Sequence, residues 1–233
     1  LDLATFRTRI SFATGLSNAA ASSEQGLIDG YVNEAVVQFL VETKCYIKKF
    51  SVTMTEDVAY YDLDANILSM KELWYESSAG QNVPMAPVEM SEIIRRQTLA
   101  SGSAGGYPTV YSLEGNNLLV IDPAAPSSSD EIHGLYVPRP ASMASGSDAP
   151  SESGFGSVPE EYHPTLQSYA MSKITADDDK TVGKTPAEHK EDWEAGLIRA
   201  RVRLNKKAGV LLAPARPGRG RRMIPRTPGT DIR

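Results

Sequence analysis

The sequence predicts an α+β fold, a helical bundle with a β insertion and an extended C-terminal tail. Three observations lead there. First, Gly106 to Pro126 reads as one β-hairpin: Thr109–Leu113 and Leu118–Ile121 are rich in β-branched and aromatic residues. Between them, Glu114-Gly115-Asn116-Asn117 suits the positive φ angles of a tight turn. Second, long helical patterns lie on both sides of this β-rich stretch. Third, the chain from Gly209 onward is rich in proline, glycine and arginine, which no regular element accommodates.

Each element follows in order. Leu3, Phe6, Ile10 and Ala13 fall at helical spacing, so Asp2 to Thr14 is a first amphipathic helix. Gly15 to Ser23 is a polar loop, and Ser22 or Ser23 can cap the next helix, predicted from Glu24 to Tyr46. Its apolar face is broad: Leu27, Tyr31, Ala35 and Phe39 lie beside Ile28, Val32, Val36 and Leu40. Such a face implies burial against several neighbours or another subunit. Lys49 to Thr55 alternates with Phe50, Val52 and Met54 on one side, the pattern of a half-buried strand. Val58–Leu63 and Ile67–Glu76 read as further strands, Ala79–Pro87 as a loop and Val88–Arg96 as a short helix. Ser101–Gly106 is a flexible link into the hairpin, whose second strand stops at Asp122-Pro123. A last strand runs from Glu131 to Val137 and ends at Pro138 and Pro140. Ala141–Pro159, rich in serine and glycine, is an exposed connector, mobile or held by contacts. Tyr162, Leu166, Tyr169, Ala170 and Ile174 then form a helical stripe. Thr185-Pro186-Ala187-Glu188 starts the last helix: threonine as cap, proline first, glutamate third. Its apolar face is Trp193, Leu197, Ala200 and Leu204, and Arg199, Arg201, Arg203, Lys206 and Lys207 crowd its C-terminal half. The division is a helical domain of residues 1–47 and 160–208, an inserted β domain 48–140, a connector 141–159 and a tail 209–233.

With 233 residues, 41% hydrophobic and 23% charged, the chain is expected to fold around a substantial core. The lone Cys45 excludes an intrachain disulfide framework. No stretch approaches the ~18 apolar residues of a membrane span, and Leu1–Arg9 lacks a basic-then-apolar signal layout. A soluble protein in the cytoplasm of its producing cell, without membrane contact, is the expectation. The net charge of −5 hides an asymmetry: from Lys206 onward the basic residues face one acid, Asp231.

No catalytic constellation stands out, and no cofactor is expected. Gly183-Lys184-Thr185 resembles the end of a phosphate loop, but the required earlier glycine is Asp178, in an acidic run. Asp177-Asp178-Asp179 lacks the spaced ligands of a calcium loop and reads as a solvated charge run. His133, His163 and His189 read as isolated surface or loop histidines, and one cysteine completes no zinc set. Cys45 is placed inside the second helix as a small, buried or half-buried side chain. Ser101–Gly106 could cradle an anion but reads as a hinge. The tail has two functional readings. Its arginines could neutralise nucleic-acid phosphates without sequence recognition. The favoured reading is a segment that orders on a protein partner, with Leu211, Leu212, Met223 and Ile224 as apolar anchors among Arg216, Arg219, Arg221, Arg222 and Arg226.

The order of elements resembles the head-to-tail adaptor (connector) proteins of tailed double-stranded DNA bacteriophages. Several stretches carry it. Asn33-Glu34-Ala35 lies in the long second helix, and Lys49–Thr55 with Ala59-Tyr60-Tyr61-Asp62-Leu63 looks like the family's first strand pair. Gly106-Tyr107-Pro108-Thr109-Val110-Tyr111 followed by Leu119–Ala124 looks like its hairpin. Pro159–Ala170, with Tyr162, Leu166 and Tyr169-Ala170, looks like its helix start. The likeness covers residues 1 to 208; the Ser/Gly connector and the Pro/Arg tail depart from a minimal member. It implies an antiparallel helical bundle carrying a small antiparallel β-sheet or sandwich, and no catalysed reaction. It also implies a homo-oligomeric ring, usually a dodecamer, below the portal protein at the neck of the virion, assembled in the host cytoplasm. Such a ring extends the channel for passing double-stranded DNA and docks the next connector or tail protein. An accessory nucleic-acid-binding protein using the Arg-rich tail is the alternative.

Overall fold

The structure, a computed structural model, describes residues 1–16, 22–63, 66–99, 106–115, 117–177 and 184–207. It is a mixed α/β protein. In chain order the elements are α1 (Leu3–Thr14), α2 (Ser23–Thr43), β1 (Lys48–Thr53), β2 (Tyr60–Asp62), β3 (Ile67–Glu76), β4 (Asn82–Pro84) and β5 (Ala86–Pro87). Then come α3 (Met90–Leu99), β6 (Val110–Glu114), β7 (Leu118–Asp122), β8 (Glu131–Pro138), a 3-10 turn (Glu160–Tyr162), α4 (His163–Asp177) and α5 (Pro186–Lys207).

The helices around the first core begin where the sequence supplies caps. The Asp2 carboxylate accepts from the Thr5 N–H at 2.8 Å, and Ser22 Oγ accepts from the Gln25 N–H at 3.0 Å. Helix α1 ends on Gly15 in the left-handed region, φ 74°. Helix α2 stops at Thr43, short of the predicted Tyr46. Lys44 turns left-handed (φ 50°) and donates its N–H to Leu40 O, freeing the chain to run straight into β1. Cys45 therefore follows the helix rather than lying within it; it is half-buried, and desolvation raises its thiol pKa. Leu3, Phe6 and Ile10 of α1, Val32, Val36 and Phe39 of α2, Leu166, Ala170 and Ile174 of α4, and Trp193, Leu197 and Ala200 of α5 share one core. The spacings of three and four put each set on one helix face.

The β region is two four-stranded sheets, ordered β1-β8-β3-β4 and β2-β7-β6-β5. All pairings are antiparallel except the short β5–β6 pair. The opening hairpin forms as read: β6 and β7 pair from Val110↔Asp122 to Glu114↔Leu118, with Gly115 at φ 62° in the turn. The sheets close on each other through Met54, Tyr61, Leu73, Tyr75, Tyr111, Leu119, Ile121 and Ile132. At the centre of the first sheet Phe50 stands opposite Gly134, and a Cβ there would lie 2.2 Å from the ring. The glycine is thus the seat of the phenyl ring.

Two local readings change. The predicted loop Ala79–Pro87 contains β4 and β5; Met85 between them is buried, and its N–H bonds to Leu73 O at 2.9 Å. Their prolines are tolerated because both strands lie at sheet edges. The short helix begins at Met90 rather than Val88, since Val88 still donates to Tyr111 O in strand fashion.

The segment 141–159 is held by contacts rather than exposed throughout. Met143 and Val158 are buried in the helical core. Asn33 grips the Met143 backbone twice, accepting its N–H at 2.8 Å and donating to its carbonyl at 3.1 Å. Asp148 accepts from the Ala144 and Ser145 N–H groups, and the Asp148 carbonyl receives the Leu3 N–H. Gly156, at φ 120°, lies where a Cβ would press on Val36 and Leu40.

Candidate assembly surfaces

Helix α5 packs on α4 and α2 through one face and leaves the opposite face exposed. Its start is a complete capping box. Glu188 accepts from the Thr185 N–H at 2.7 Å, and Thr185 Oγ1 accepts from the Glu188 N–H at 3.3 Å. The Thr185 N–H, and then its hydroxyl at 2.9 Å, donate to the Glu188 carboxylate and lower its pKa. Trp193 anchors the inner face, edge-on to Tyr169 at 4.9 Å and 6.3 Å from Phe39. Gly196 permits the close crossing with α4: a Cβ there would come within 2.4 Å of Thr165 Cγ2 and Oγ1.

The flanks of α5 are tied down by charge. Arg201 pairs with the Glu42 carboxylate and donates to the Glu42 carbonyl at 3.1 Å. Arg203 reaches Glu161 at 3.1 Å, and Lys184 reaches Asp192 at 2.5 Å. Between α2 and α4, the Tyr169 hydroxyl donates to Glu34 at 2.5 Å, with Lys173 at 3.8 Å from the same carboxylate. Burial first, and then the bond to Glu34, push the Tyr169 pKa up. Arg7 of α1 holds Asp29 of α2 in a two-bond fork at 2.7 Å.

The outer surface of these helices carries large apolar side chains. Phe12 is 90% exposed, Ile198 60% and Val202 52%; Leu27 and Val41 of α2 are also exposed. Two open clefts flank α5, one of about 290 Å³ beside Arg199 and Arg203 and one of about 440 Å³ beside Trp193 and Lys190. The broad apolar face of α2 was legible in the sequence. The exposure of Ile198 and Val202 was not singled out, although both fall outside the Trp193–Leu197–Ala200–Leu204 stripe.

The sequence candidates are placed as follows. All three histidines are buried, contrary to the surface reading. His133 in β8 lies against Trp74 at 5.6 Å with Nε2 2.9 Å from Glu76. His163 opens α4 against Phe6, and desolvation lowers its pKa; His189 lies on the inner face of α5. Each sits in or at the start of a regular element, and the packing of those elements covers the ring. Among the described residues no group of three or more His, Cys, Asp or Glu could hold a metal ion. Lys184 and Thr185 serve an ion pair and a helix cap. Asp178, Asp179, Gly183 and residues 101–105 lie outside the described residues, so the phosphate-loop, acidic-run and hinge readings are not placed. The same holds for the tail residues Leu211, Leu212, Arg216, Arg219, Arg221, Arg222, Met223, Ile224 and Arg226. Among the described residues no helix is long and apolar enough to cross a membrane.

Comparison with known proteins adds one finding. The model of the SU10 adaptor protein family matches residues 2–218, nearly the whole chain. No curated protein matches it. The stretches that resemble the adaptors in sequence occupy α2, β1, β2, the β6–β7 hairpin and α4, all within the matched residues. The chain belongs to the SU10 adaptor protein family, the head-to-tail adaptors of bacteriophages, and is a structural component of a phage particle.

Proposed function

We propose that this protein forms a homo-oligomeric ring, a dodecamer, below the portal protein in the neck of the virion. The ring extends the channel for passing double-stranded DNA and docks the next connector or tail protein. The helices form an antiparallel bundle that packs side by side around the ring, with the β region of residues 48–140 as an insertion. The subunit catalyses no reaction, and it assembles in the host cytoplasm. Residues 209–233 order on the portal or on a neighbouring adaptor, with Leu211, Leu212, Met223 and Ile224 as anchors.

The observation that carries this reading is the apolar outer surface of the helices, above all Ile198 and Val202, on a chain of the head-to-tail adaptor family. Ile198 and Val202 lie four residues apart on the same outer face of α5, an apolar pair that other subunits can cover. The test is removal of Gly209–Arg233. The truncated subunit is expected to keep its helical content and to lose binding to portal-bearing particles. Normal binding by the truncation overturns the role of the tail. The arginines of the tail favour one other reading, an accessory nucleic-acid-binding protein. It predicts a salt-dependent mobility shift on duplex DNA by the whole protein and by the isolated tail.

A further inference from the structure

One edge of the first sheet is open. Its order is β1-β8-β3-β4, and among the described residues nothing pairs with β1 on the side away from β8. Met54 donates its N–H to Asp130 O at 2.9 Å, which sets the parity of the ladder: Lys48, Phe50 and Val52 bond toward β8. The N–H and C=O groups of Lys49, Ser51 and Thr53 therefore point outward along the edge. The other outer strands are blunted. Strand β2 has three residues, β4 three with Pro84, and β5 two with Pro87. Strand β1 has six and no proline. Lysines commonly guard such an edge, but both lysines of β1 are turned back. Lys48 Nζ lies 5.5 Å from the Tyr46 ring centre, and Lys49 Nζ 5.6 Å from that of Trp74. On the inner face Phe50 and Val52 pack against the sheet core but are only half-buried, so that core stops short at this edge.

We infer that residues 209–213 of one copy of this chain add, as a further strand, to the β1 edge of a neighbouring copy. Gly209-Val210-Leu211-Leu212-Ala213 lies outside the described residues. Its sequence is uncharged, close in length to β1, and bounded by Pro214, which has no N–H to continue a ladder. Outside the described residues it holds the only three consecutive large apolar side chains. Strand alternation puts Val210 and Leu212 on one face and Leu211 on the other. With Val210 and Leu212 inward, the pair covers the open flanks of Phe50 and Val52, and Leu211 falls on the outer face beside Ser51. The segment also starts in the right place. Arg201 pairs with Glu42 at the end of α2, the end that leads into β1, and α5 stops at Lys207, six residues further on. Main-chain bonds supply the binding, and the alternating apolar side chains supply the fit. That the donor is a neighbour rests on the ring reading. An edge on one copy and a tail on the next are two different patches, the kind of contact whose repetition closes a ring.

The test uses the full chain, with Cys45→Ala, assembled on portal-bearing particles. One chain carries Lys49→Cys, Ser51→Cys or Thr53→Cys and a second carries Leu211→Cys, so a disulfide between the two kinds joins two copies. A trapped mixed dimer is expected from at least one of the three, and none when Asn82→Cys at the β4 edge takes their place. Ser51→Pro removes one outward N–H and leaves the bonds to β8 in place. It should weaken attachment to the particles by about tenfold, whereas Ser51→Ala keeps the N–H and should bind as the wild type does. Leu212→Asp, in the segment itself, should reproduce the loss without touching the folded body. Rings that form normally without trapping, or trapping only within one chain that carries both cysteines, overturn the proposal and leave the ring reading intact. A wild-type chain that forms no ring on the particles overturns the ring reading, and with it the neighbour as donor.

Discussion

The helical region and the two-sheet region solve the problem of burial in different ways. The sheets close on each other and fasten their loops through buried polar bonds. Tyr75, fully buried, donates to Asp130 at 2.5 Å, and the second oxygen of that carboxylate accepts the Ser78 N–H at 2.8 Å. One acid thus fastens the β3–β4 turn to the start of β8. The helices enclose an apolar core but leave Phe12, Leu27, Val41, Ile198 and Val202 at the surface. Their outer polar contacts are exposed ion pairs such as Arg201–Glu42 and Arg203–Glu161. The β region exposes large apolar side chains too, Tyr60, Ile94 and Tyr107, but on α5 Ile198 and Val202 lie four residues apart on one outer face. On the proposed reading, that outer face of α5 is one that other subunits cover.

Substitutions can break or sharpen the contrast. The largest effect belongs to the helical core, where Trp193→Ala removes the side chain that touches both Phe39 and Tyr169. A loss of about 3–5 kcal/mol is expected in urea denaturation. In the β core, Tyr75→Phe keeps the ring and removes the hydroxyl, leaving the buried Asp130 carboxylate one partner short. It should cost about 1–3 kcal/mol; a cost near zero would mean that the acid is not a fastening. Two of the helix glycines sharpen the difference between inside and outside. Gly196→Ala drives a methyl into Thr165 and should destabilise by about 1–3 kcal/mol. Gly30→Ala in α2 meets nothing within 4 Å and should raise stability by up to ~1 kcal/mol. The smallest effect is at the surface. Arg201→Met removes an exposed ion pair and should change subunit stability by less than ~1 kcal/mol.

What the sequence made legible was local. The Thr185–Glu188 box, the Ser22 cap and the Gly115 turn all depend on residues a few positions apart, and all form as read. The helical faces of α1 and α5 follow from periodicity in the same way. What escaped depends on partners far along the chain. Helix α2 ends early because Lys44 must turn the chain into β1. Serines and glycines suggested an exposed connector at 141–159, but Asn33 and Asp148 hold it through backbone groups that composition cannot display. The histidines are buried because whole elements close over them. The exposure of Ile198 and Val202 was hidden for the opposite reason. An apolar residue in a helix reads as core until the neighbouring elements are placed.

The central claim is that this adaptor completes itself only on its partner, as a ring. The direct measurement is the mass of the purified protein alone and its copy number on portal-bearing particles after mixing. A free species smaller than a ring that becomes a fixed set of twelve copies on each particle is the predicted result. A chain that ignores the particles, or binds them in variable number while gripping free duplex DNA, contradicts the account.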